Sequence, residues 1–525
     1  MKKESNLSLS KSVIIVVLSI VVSRATGFLK EMLVPNTLGV GVIGDAYNVS
    51  IMVPEILYNL LIGGAIASAL IPVLTYYLEN KKEKEGWKAI SSFMNAAFVV
   101  MIFLCILGMI FTEQFVRLIA VSYGNERIDQ LGLTVTLTRI MFPSFIFLML
   151  SGICNGVLNT YKRFALSTLG PAIYNVFCAL SLLLLSPYGV ETVAYGVLTS
   201  SFIYFVCQLV FCFKHFRLYT PIINLKNEGF NKLIKLAVPS LLTSSIIQIN
   251  VVIALQFVSF FTAGSITAFR MADRMWQLPY GIVAQGIGIA ILPSLAAMAS
   301  KNNMIKFKDI LVKALFSIII ISAPIAIVIT LSGNTLLDVA FRITDKINAG
   351  DIALTAQIFS FFAIALIFQS LVTVLNRAFY AVNNTKTPLL TGFISIIFNV
   401  VLGFYLKGIL GIGGIALAYS IASIINAGLL FYYLNRDIIN LDLNKIVIFI
   451  SKTIISSIIC GITLYVINKL FVINNLSKLL KLFYLSIQMA VTITVYLMSM
   501  YFLKIDMITN PIRKYYSLIF CRKIK

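Results

Sequence analysis

Apolar runs of about 18 residues or more recur from one end of the chain to the other, separated by short stretches rich in lysine and asparagine. Each run is long enough to cross roughly 30 Å of hydrocarbon. A backbone in lipid must satisfy its hydrogen bonds within its own segment, so these runs predict helices. A membrane barrel would show short alternating segments instead. Apolar length and punctuation predict about fourteen spans, near 12–34, 45–78, 89–112, 130–159, 166–187, 190–213, 233–262, 265–299, 310–333, 352–382, 387–406, 411–434, 446–468 and 482–504. The fold class expected is therefore all-α and integral to a membrane.

Composition agrees. Of 525 residues, 59% are hydrophobic and 12% charged, and the mean hydropathy is +0.95. A soluble chain of this size needs more polar surface. The net charge of +22 would suggest nucleic acid in a soluble protein, but no soluble basic domain is present to bind it. Most of the basic residues lie in short loops, where they set topology. With both termini inside, the inner loops hold Lys81, Lys82, Lys84 and Lys88, then Lys162 and Arg163, Lys214, Arg217, Lys226 and Lys232. Lys301, Lys306, Lys308, Lys386, Arg436, Lys445 and a basic tail (Arg513, Lys514, Arg522, Lys523, Lys525) continue the pattern. The outer loops carry Arg117, Arg127, Arg342, Lys346, Lys407, Lys469, Lys478 and Lys481. This bias predicts a multi-pass plasma-membrane protein with both termini cytoplasmic. Met1-Lys2-Lys3 followed by Ser12–Val22 resembles a signal peptide, but no small-residue cleavage site follows and the apolar stretch continues past Arg24.

The chain appears duplicated. Asn159, Lys162 and Asn175 recur with the same spacing as Asn383, Lys386 and Asn399, and Ile71-Pro72 is echoed by Leu292-Pro293. Both copies start on the same side after six helices, which predicts parallel repeats. The domains expected are a six-helix lobe over 1–232, a second over 233–440, and two additional helices with the basic tail over 441–525. The two lobes are expected to superpose about a roughly two-fold axis normal to the membrane.

A charge inside a span costs roughly 3 kcal/mol unless it meets water or a partner. The first span holds Arg24, Lys30 and Glu31; Arg24, Gly27 and Glu31 share a helical face, with Lys30 to one side. The second holds Asp45, Asn48, Glu55 and Asn59, and the eighth Arg270, Asp273, Arg274 and Gln277. One reading is structural, with Arg24 paired to Glu31 or Asp45 and Arg274 to Asp273. The other is a polar cavity at the seam of the lobes with surplus positive charge. Arginine binds phosphate oxygens bidentately and stays ionised when partly desolvated, which suits a diphosphate headgroup. Transport is favoured over catalysis. The sequence shows no Walker A motif or acidic metal cluster, its one histidine is His215, and its seven cysteines (Cys105, Cys154, Cys178, Cys207, Cys212, Cys460, Cys521) form no CxxC pair. No metal, cofactor or catalytic residue is expected.

The ordered motifs Ser23-Arg24-Ala-Thr-Gly27-Phe28-Leu-Lys30-Glu31, Gly44-Asp45-Ala46-Tyr47 and Ala69-Leu70-Ile71-Pro72 resemble the N-terminus of the bacterial lipid II flippases, the MurJ or MviN family. That family belongs to the multidrug/oligosaccharidyl-lipid/polysaccharide exporter superfamily. The likeness continues through Gly156-Val-Leu-Asn159, Arg163-Phe164, Pro171 and Asn175, then Ala272-Asp273-Arg274 with Leu278-Pro279, Leu292-Pro293-Ser294-Leu295, Arg377-Ala-Phe379-Tyr380-Ala381 and Thr385-Lys-Thr387-Pro388. It covers about the first 440 residues. The resemblance implies an alternating-access flippase for undecaprenyl-diphosphate-linked peptidoglycan precursor. Arg24 and Arg274 would line its central cavity with Lys30 and Arg270 as further substrate-binding cations. Glu31, Asp45, Asn48, Glu55, Asp273 and Gln277 would shape or gate the cavity, and the last two helices would form a groove for the prenyl tail. The partners implied are a prenyl-diphosphate-linked anionic glycolipid, membrane lipids and other cell-wall synthesis proteins, with no nucleic acid.

The chain departs from the family in several places. Ile62-Gly63-Gly64-Ala65 lacks the carboxylate of the usual Ala-Glu-Gly-Ala, and Tyr58-Asn59 stands where arginine is common. Ala254 replaces an aspartate of the seventh helix, and no acidic residue lies near Gly403. A capsule or O-unit flippase, a drug/cation antiporter and a membrane scaffold for cell-wall enzymes are the alternatives. An antiporter would favour acidic residues over this arginine surplus.

Overall fold

The computed structural model describes residues 2–61, 69–124, 127–470 and 477–509. Each predicted span falls mainly on helix where it is described, with breaks at Phe111 and Phe142–Pro143 and an early end at Ser259 in the span predicted over 233–262. The N-terminal half runs α1 (Lys2–Leu38), α2 (Val42–Leu61), α3 (Ile71–Glu79), α4 (Glu83–Ile110), α5 (Thr112–Ile119), α6 (Ile128–Met141), α7 (Ser144–Thr160), α8 (Phe164–Leu185) and α9 (Val190–Cys212). Then follow α10 (Glu228–Ser259), α11 (Ser265–Tyr280), α12 (Gly286–Ser300), α13 (Met304–Phe341), α14 (Ala349–Ala381), α15 (Lys386–Leu410), α16 (Ile412–Asp437), α17 (Leu443–Leu470) and α18 (Lys478–Phe502). Among the described residues, ten helices are long and apolar enough to cross a membrane, or eleven if the bent pair α6–α7 is one span. The Ile62–Ala65 departure, Cys521 and the basic tail from Arg513 onward lie outside the described residues.

Proline explains where the long rods break. Its ring removes a backbone donor and clashes with the preceding turn. Pro143 sits between α6 and α7, which bend by 40°. Beside the bend, the fully buried Phe142 ring occupies the space where a side chain at position 108 would stand, so glycine is required there. Pro279 precedes one π turn over Gly281–Gln285, which joins α11 to α12. The outer loop after α4 holds structure that the hydrophobic pattern did not reveal. It forms the short helix α5, braced by an Arg117–Glu113 ion pair at 2.7 Å.

By contact the chain divides into two compact units, 1–267 with 344–347, and 268–343 with 348–525. In the first, α1 lies along α8 and α2 along α6. Helix α10, placed at the head of the second lobe by the sequence, packs on α4, α2 and α5 of this first unit. Trp87, fully buried, donates to the Tyr161 hydroxyl at 2.9 Å. The segment from Tyr219 to Asn224 is tied to α4, with Asn95 donating to the Thr220 and Ile222 carbonyls and Ser91 and Ser92 accepting from the Thr220 and Asn224 amides. In the second unit, α13 packs on α14, α17 and α18, and Phe316 stacks on Phe449 at 3.7 Å.

Five of the described helices end in the same way, α18 at Lys504 (φ 53°) among them, where the Lys504 and Ile505 amides bond the Tyr501 and Met500 carbonyls. Lys81, Lys162, Asn302 and Asn383 all take left-handed backbone angles, with φ of 58°, 59°, 53° and 60°. Each turn pairs two successive amides back to the helix. Lys81 and Lys82 bond the Leu78 and Tyr77 carbonyls, and Lys162 and Arg163 bond those of Asn159 and Leu158. Asn302 and Asn303 bond Ala299 and Met298, and Asn383 and Asn384 bond Tyr380 and Phe379. Lys81 and Asn302 are 221 positions apart, as are Lys162 and Asn383 and the two prolines Pro72 and Pro293. The Asn159/Asn383 match is therefore out of register with the turns: Asn159 lies in the last turn of α7 and Asn383 at the left-handed position. Equal spacing between chemically alike residues misled because helix ends, not asparagines, set this register.

A lysine in the left-handed region carries a steric cost of about 1 kcal/mol that glycine avoids, and asparagine tolerates the region better. Lys162→Gly should raise the thermal unfolding temperature in detergent, and Asn383→Gly should raise it less. If Lys162→Gly melts below wild type, the turn is not strained as described.

Candidate functional site

Four constellations gather the polar residues of the spans. The first is a cavity of about 430 Å³ within the first unit, formed by α1, the end of α2, the start of α3, and α7 and α8. Ser23, Arg24, Tyr58, Asn155, Asn159, Ser167 and Thr168 line it among apolar groups, and Arg24 is the one charged side chain among its lining residues. Helix α1 can approach α8 here because Gly27 has no side chain: a Cβ would come within 3.2 Å of the Asn175 amide nitrogen. Asn175 in turn donates to the Ser23 carbonyl at 3.4 Å, which braces α1 beside Arg24. Asn159 accepts from Ser167 at 2.6 Å. Asn155 donates to the Tyr204 hydroxyl at 2.7 Å, and the Tyr204 and Tyr58 hydroxyls lie within hydrogen-bonding reach of each other.

The second constellation is ionic. Lys30 is buried, with its ammonium 3.3 Å from Glu31 and 3.9 Å from Glu55 and 5.7 Å from the centre of the Tyr174 ring. The helical-face reading set Lys30 to one side of α1, but it is the hub that joins α1, α2 and α8. Its four-carbon stem lets the charge swing back beside Glu31, which backbone angles alone do not reveal. The paired carboxylates offset the cost of burying the ammonium.

The third constellation is a clamp on the first turn of α11. Asp45, fully buried, accepts from the Gly264 amide at 2.8 Å, the Thr267 amide at 2.8 Å and the Thr267 hydroxyl at 2.7 Å. The first amides of a helix have no partner in their own helix and draw negative charge, so a carboxylate from α2 caps α11. Asn48, one turn further along α2, donates to the same Thr267 hydroxyl at 3.1 Å and to the Gly44 carbonyl at 2.9 Å. Gly44 is obligatory: a Cβ would fall 2.2 Å from the Gly39 carbonyl oxygen. Nearby, Asn36 at the end of α1 accepts from the Thr344 amide at 3.0 Å, and Lys346 donates to the Thr37 carbonyl. Asp45 and Tyr58 stand at opposite ends of α2, about 20 Å apart at 1.5 Å per residue, so the clamp and the cavity are separate.

The fourth constellation, in the second unit, lies on α11. Arg270 is buried and Arg274 half-buried. Asp273 accepts from the Trp276 indole at 3.0 Å and from Gln277, one turn further along the same face, at 2.8 Å. Trp276 stacks on Phe362 and meets Tyr280 and Tyr419. Outside the spans, His215 stacks on Tyr161 at 3.9 Å, and burial and then Arg163 lower its pKa.

Sequence reasoning singled out Lys30, Glu31, Asp45 and Glu55 but missed Tyr174 beside Lys30, Thr267 beside Asp45, and Tyr58, Asn155 and Ser167 on the cavity wall. A signal was present for one pair. Asn155 and Asn159 stand four residues apart in an apolar span, on one face of α7.

The lipid II flippase MurJ family matches residues 34–485. A probable lipid II flippase MurJ of Buchnera aphidicola subsp. Acyrthosiphon pisum is 27% identical over 91% of this chain and 94% of its own. The lipid II flippase MurJ of Burkholderia cenocepacia is 25% identical over 79% and 81%. A solved structure of a lipid II flippase MurJ in an inward closed conformation superposes with a TM-score of 0.79 at 24% identity, covering 98% of this chain and 100% of that one. An inward-facing multidrug resistance MATE transporter of the MOP superfamily gives 0.65 at 13% identity, over 80% and 97%. These two likenesses show the fold. The family match spans most of the length, and the chain belongs to the lipid II flippase MurJ family.

Proposed function

We propose that this chain carries lipid II across the bacterial plasma membrane by alternating access, with both termini cytoplasmic and the two six-helix lobes as its repeating halves. The observation that carries this reading is Arg24, a permanent cation lining a cavity of otherwise uncharged polar and apolar groups within an apolar helical unit. Such a cation suits the diphosphate of a lipid-linked glycan. Arg270 and Arg274 would supply further charge from α11. Lys30 already has two carboxylates, so it would reach a phosphate only by exchanging one of them. That exchange would couple headgroup binding to the packing of α1, α2 and α8.

Asp45 and Asn48 act in this reading as a latch. Their bonds to Gly264 and Thr267 hold the start of α11 against α2, and transport would break and remake them. Asp273 and Gln277 keep the cationic face of α11 in shape. Helices α17 and α18 would carry the prenyl tail.

Truncating one partner of a desolvated charge-assisted pair costs roughly 2–5 kcal/mol, or about 30- to 4000-fold in affinity. Arg24→Ala and Arg274→Ala should therefore abolish translocation of a prenyl-diphosphate glycan in reconstituted vesicles, while still inserting. Lysine at either position should keep part of the activity, because it retains charge but loses the bidentate fork. Lys407, expected on an outer loop, lies in the last turn of α15, outside the lining of this cavity, and Lys407→Ala should be near neutral. Well-folded Arg24→Ala and Arg274→Ala proteins that both flip at wild-type rates would make these arginines structural.

The latch gives a graded expectation. Asp45→Ala leaves three donors without their acceptor and should destabilise by about 3 kcal/mol, whereas Thr267→Val removes one bond, worth about 1 kcal/mol. Thermal unfolding in detergent should rank the two in that order. Equal melting of Asp45→Ala and wild type would contradict the clamp.

A further inference from the structure

Helix α4 crosses between two charged flanks, Lys88 on one side and Glu113 of α5 on the other, with no charge from 89 to 112. Three polar side chains, Ser91, Ser92 and Asn95, stand near the Lys88 end of this stretch. At 1.5 Å per residue Asn95 lies about 24 Å from Phe111 and Ser91 about 30 Å. All three therefore fall within the roughly 30 Å of hydrocarbon or at its edge.

All three are bonded to the connection between α9 and α10. Ser91 accepts from the Thr220 amide and Ser92 from the Asn224 amide, each at 3.1 Å. Asn95 donates to the Thr220 and Ile222 carbonyls at 3.1 Å and accepts from the Tyr219 hydroxyl at 2.5 Å. Pro221, between them, has no amide to satisfy. A loop in water would draw these bonds from solvent. Non-helical backbone at the depth of hydrocarbon persists only where protein groups satisfy it. The side chains follow the same rule. Ile222, Ile223 and Leu225 are exposed, while Lys214 and Arg217 before this apolar run and Lys226 after it are exposed cations. Apolar groups pointing outward between cations fit the boundary of acyl chains and phosphates, where a long basic stem reaches the headgroups. The segment is held at both ends: the Phe216 ring meets Trp87 of α4 at 5.4 Å, and Asn227 caps α10 by accepting from the Gly229 and Phe230 amides.

We infer that residues 219–225 form a strap seated in one leaflet, with Ile222, Ile223 and Leu225 among the acyl chains and Lys214, Arg217 and Lys226 at the phosphates of the bilayer's own phospholipids. The chain then enters α10 from a point held in the membrane. That this leaflet is the inner one rests on the reading that places both termini in the cytoplasm.

The test uses the full-length chain, its seven native cysteines replaced, in vesicles of phosphatidylcholine and phosphatidylglycerol. Ile223→Cys, Leu225→Cys and Lys214→Cys each carry a bimane label. Phosphatidylcholine brominated in the upper acyl chain should quench the labels at 223 and 225, and iodide on both sides of the vesicle should not; position 214 should show the reverse. Asn95→Leu removes the central tether and should shift the label at 223 from bromolipid towards iodide quenching. Iodide quenching at 223 and 225 equal to that at 214, with no effect of bromolipid, overturns the strap. A membrane-inserted Asn95→Leu protein with unchanged quenching overturns the tethering. Should Asn95→Leu fail to insert, the depth pattern of the parent chain decides. In membrane vesicles of known sidedness, Lys226→Cys should react with an impermeant maleimide from the cytoplasmic face alone. Reaction from the opposite face with the depth pattern intact overturns the orientation in the flippase reading and leaves the strap standing. Cytoplasmic reaction without the depth pattern overturns the strap and leaves that orientation standing.

Discussion

The cost of an unpaired polar group in hydrocarbon governs this structure. Backbone amides and carbonyls cannot rely on water across roughly 30 Å of lipid, so the described spans are helices. The same cost decides how those helices end and where charge is allowed. Five of the described helices close by turning two amides back on their own last carbonyls, at Lys81, Lys162, Asn302, Asn383 and Lys504. The first turn of α11 meets a carboxylate from another helix. Lys30 is buried only with Glu31 and Glu55 beside it.

That constraint links three of the constellations along α1 and α2, within the first unit. Gly27 brings α1 against Asn175 of α8, which sets Arg24 on the cavity wall and turns Lys30 inward within two helical turns. Helix α2 carries Tyr58 to the cavity, Glu55 to Lys30 and Asp45 to the clamp. Helix α2 thus touches the cavity, the ion cluster and the clamp. In the proposed cycle a shift of α2 that frees Asp45 also moves Glu55 and Tyr58, so binding and gating would share one moving part.

Much of this was legible in the sequence. Apolar length placed the helices, and the cost of intramembrane charge picked out the first, second and eighth spans. The loop helix α5 was not legible, because its short amphipathic run lies among outer-loop residues with no lipid-spanning signal. The asparagine match was off by three positions because like residues were matched in place of helix ends, whereas the match of Pro72 with Pro293 has the same 221-residue offset as the turns. Lys30 was set apart because a backbone wheel gives the direction of Cβ and says nothing of where a flexible stem brings its charge. The uncharged partners were missed for a related reason. Asn155, Ser167 and Thr267 carry no charge, and their importance lies in which of their atoms the fold leaves facing a cavity or a helix end.

The central claim is that the Arg24 cavity admits water and is occupied by a diphosphate headgroup. Cysteine accessibility at Ser23, a cavity-lining neighbour, tests it most directly. In a chain with its seven native cysteines replaced, Ser23→Cys should react with a hydrophilic maleimide in detergent, and a saturating short-chain prenyl-diphospho-sugar should slow that reaction. Arg24→Ala in the same background should react without such protection. A thiol at position 23 that reacts at the same rate with and without the glycolipid, while Arg24 is intact, would contradict the account.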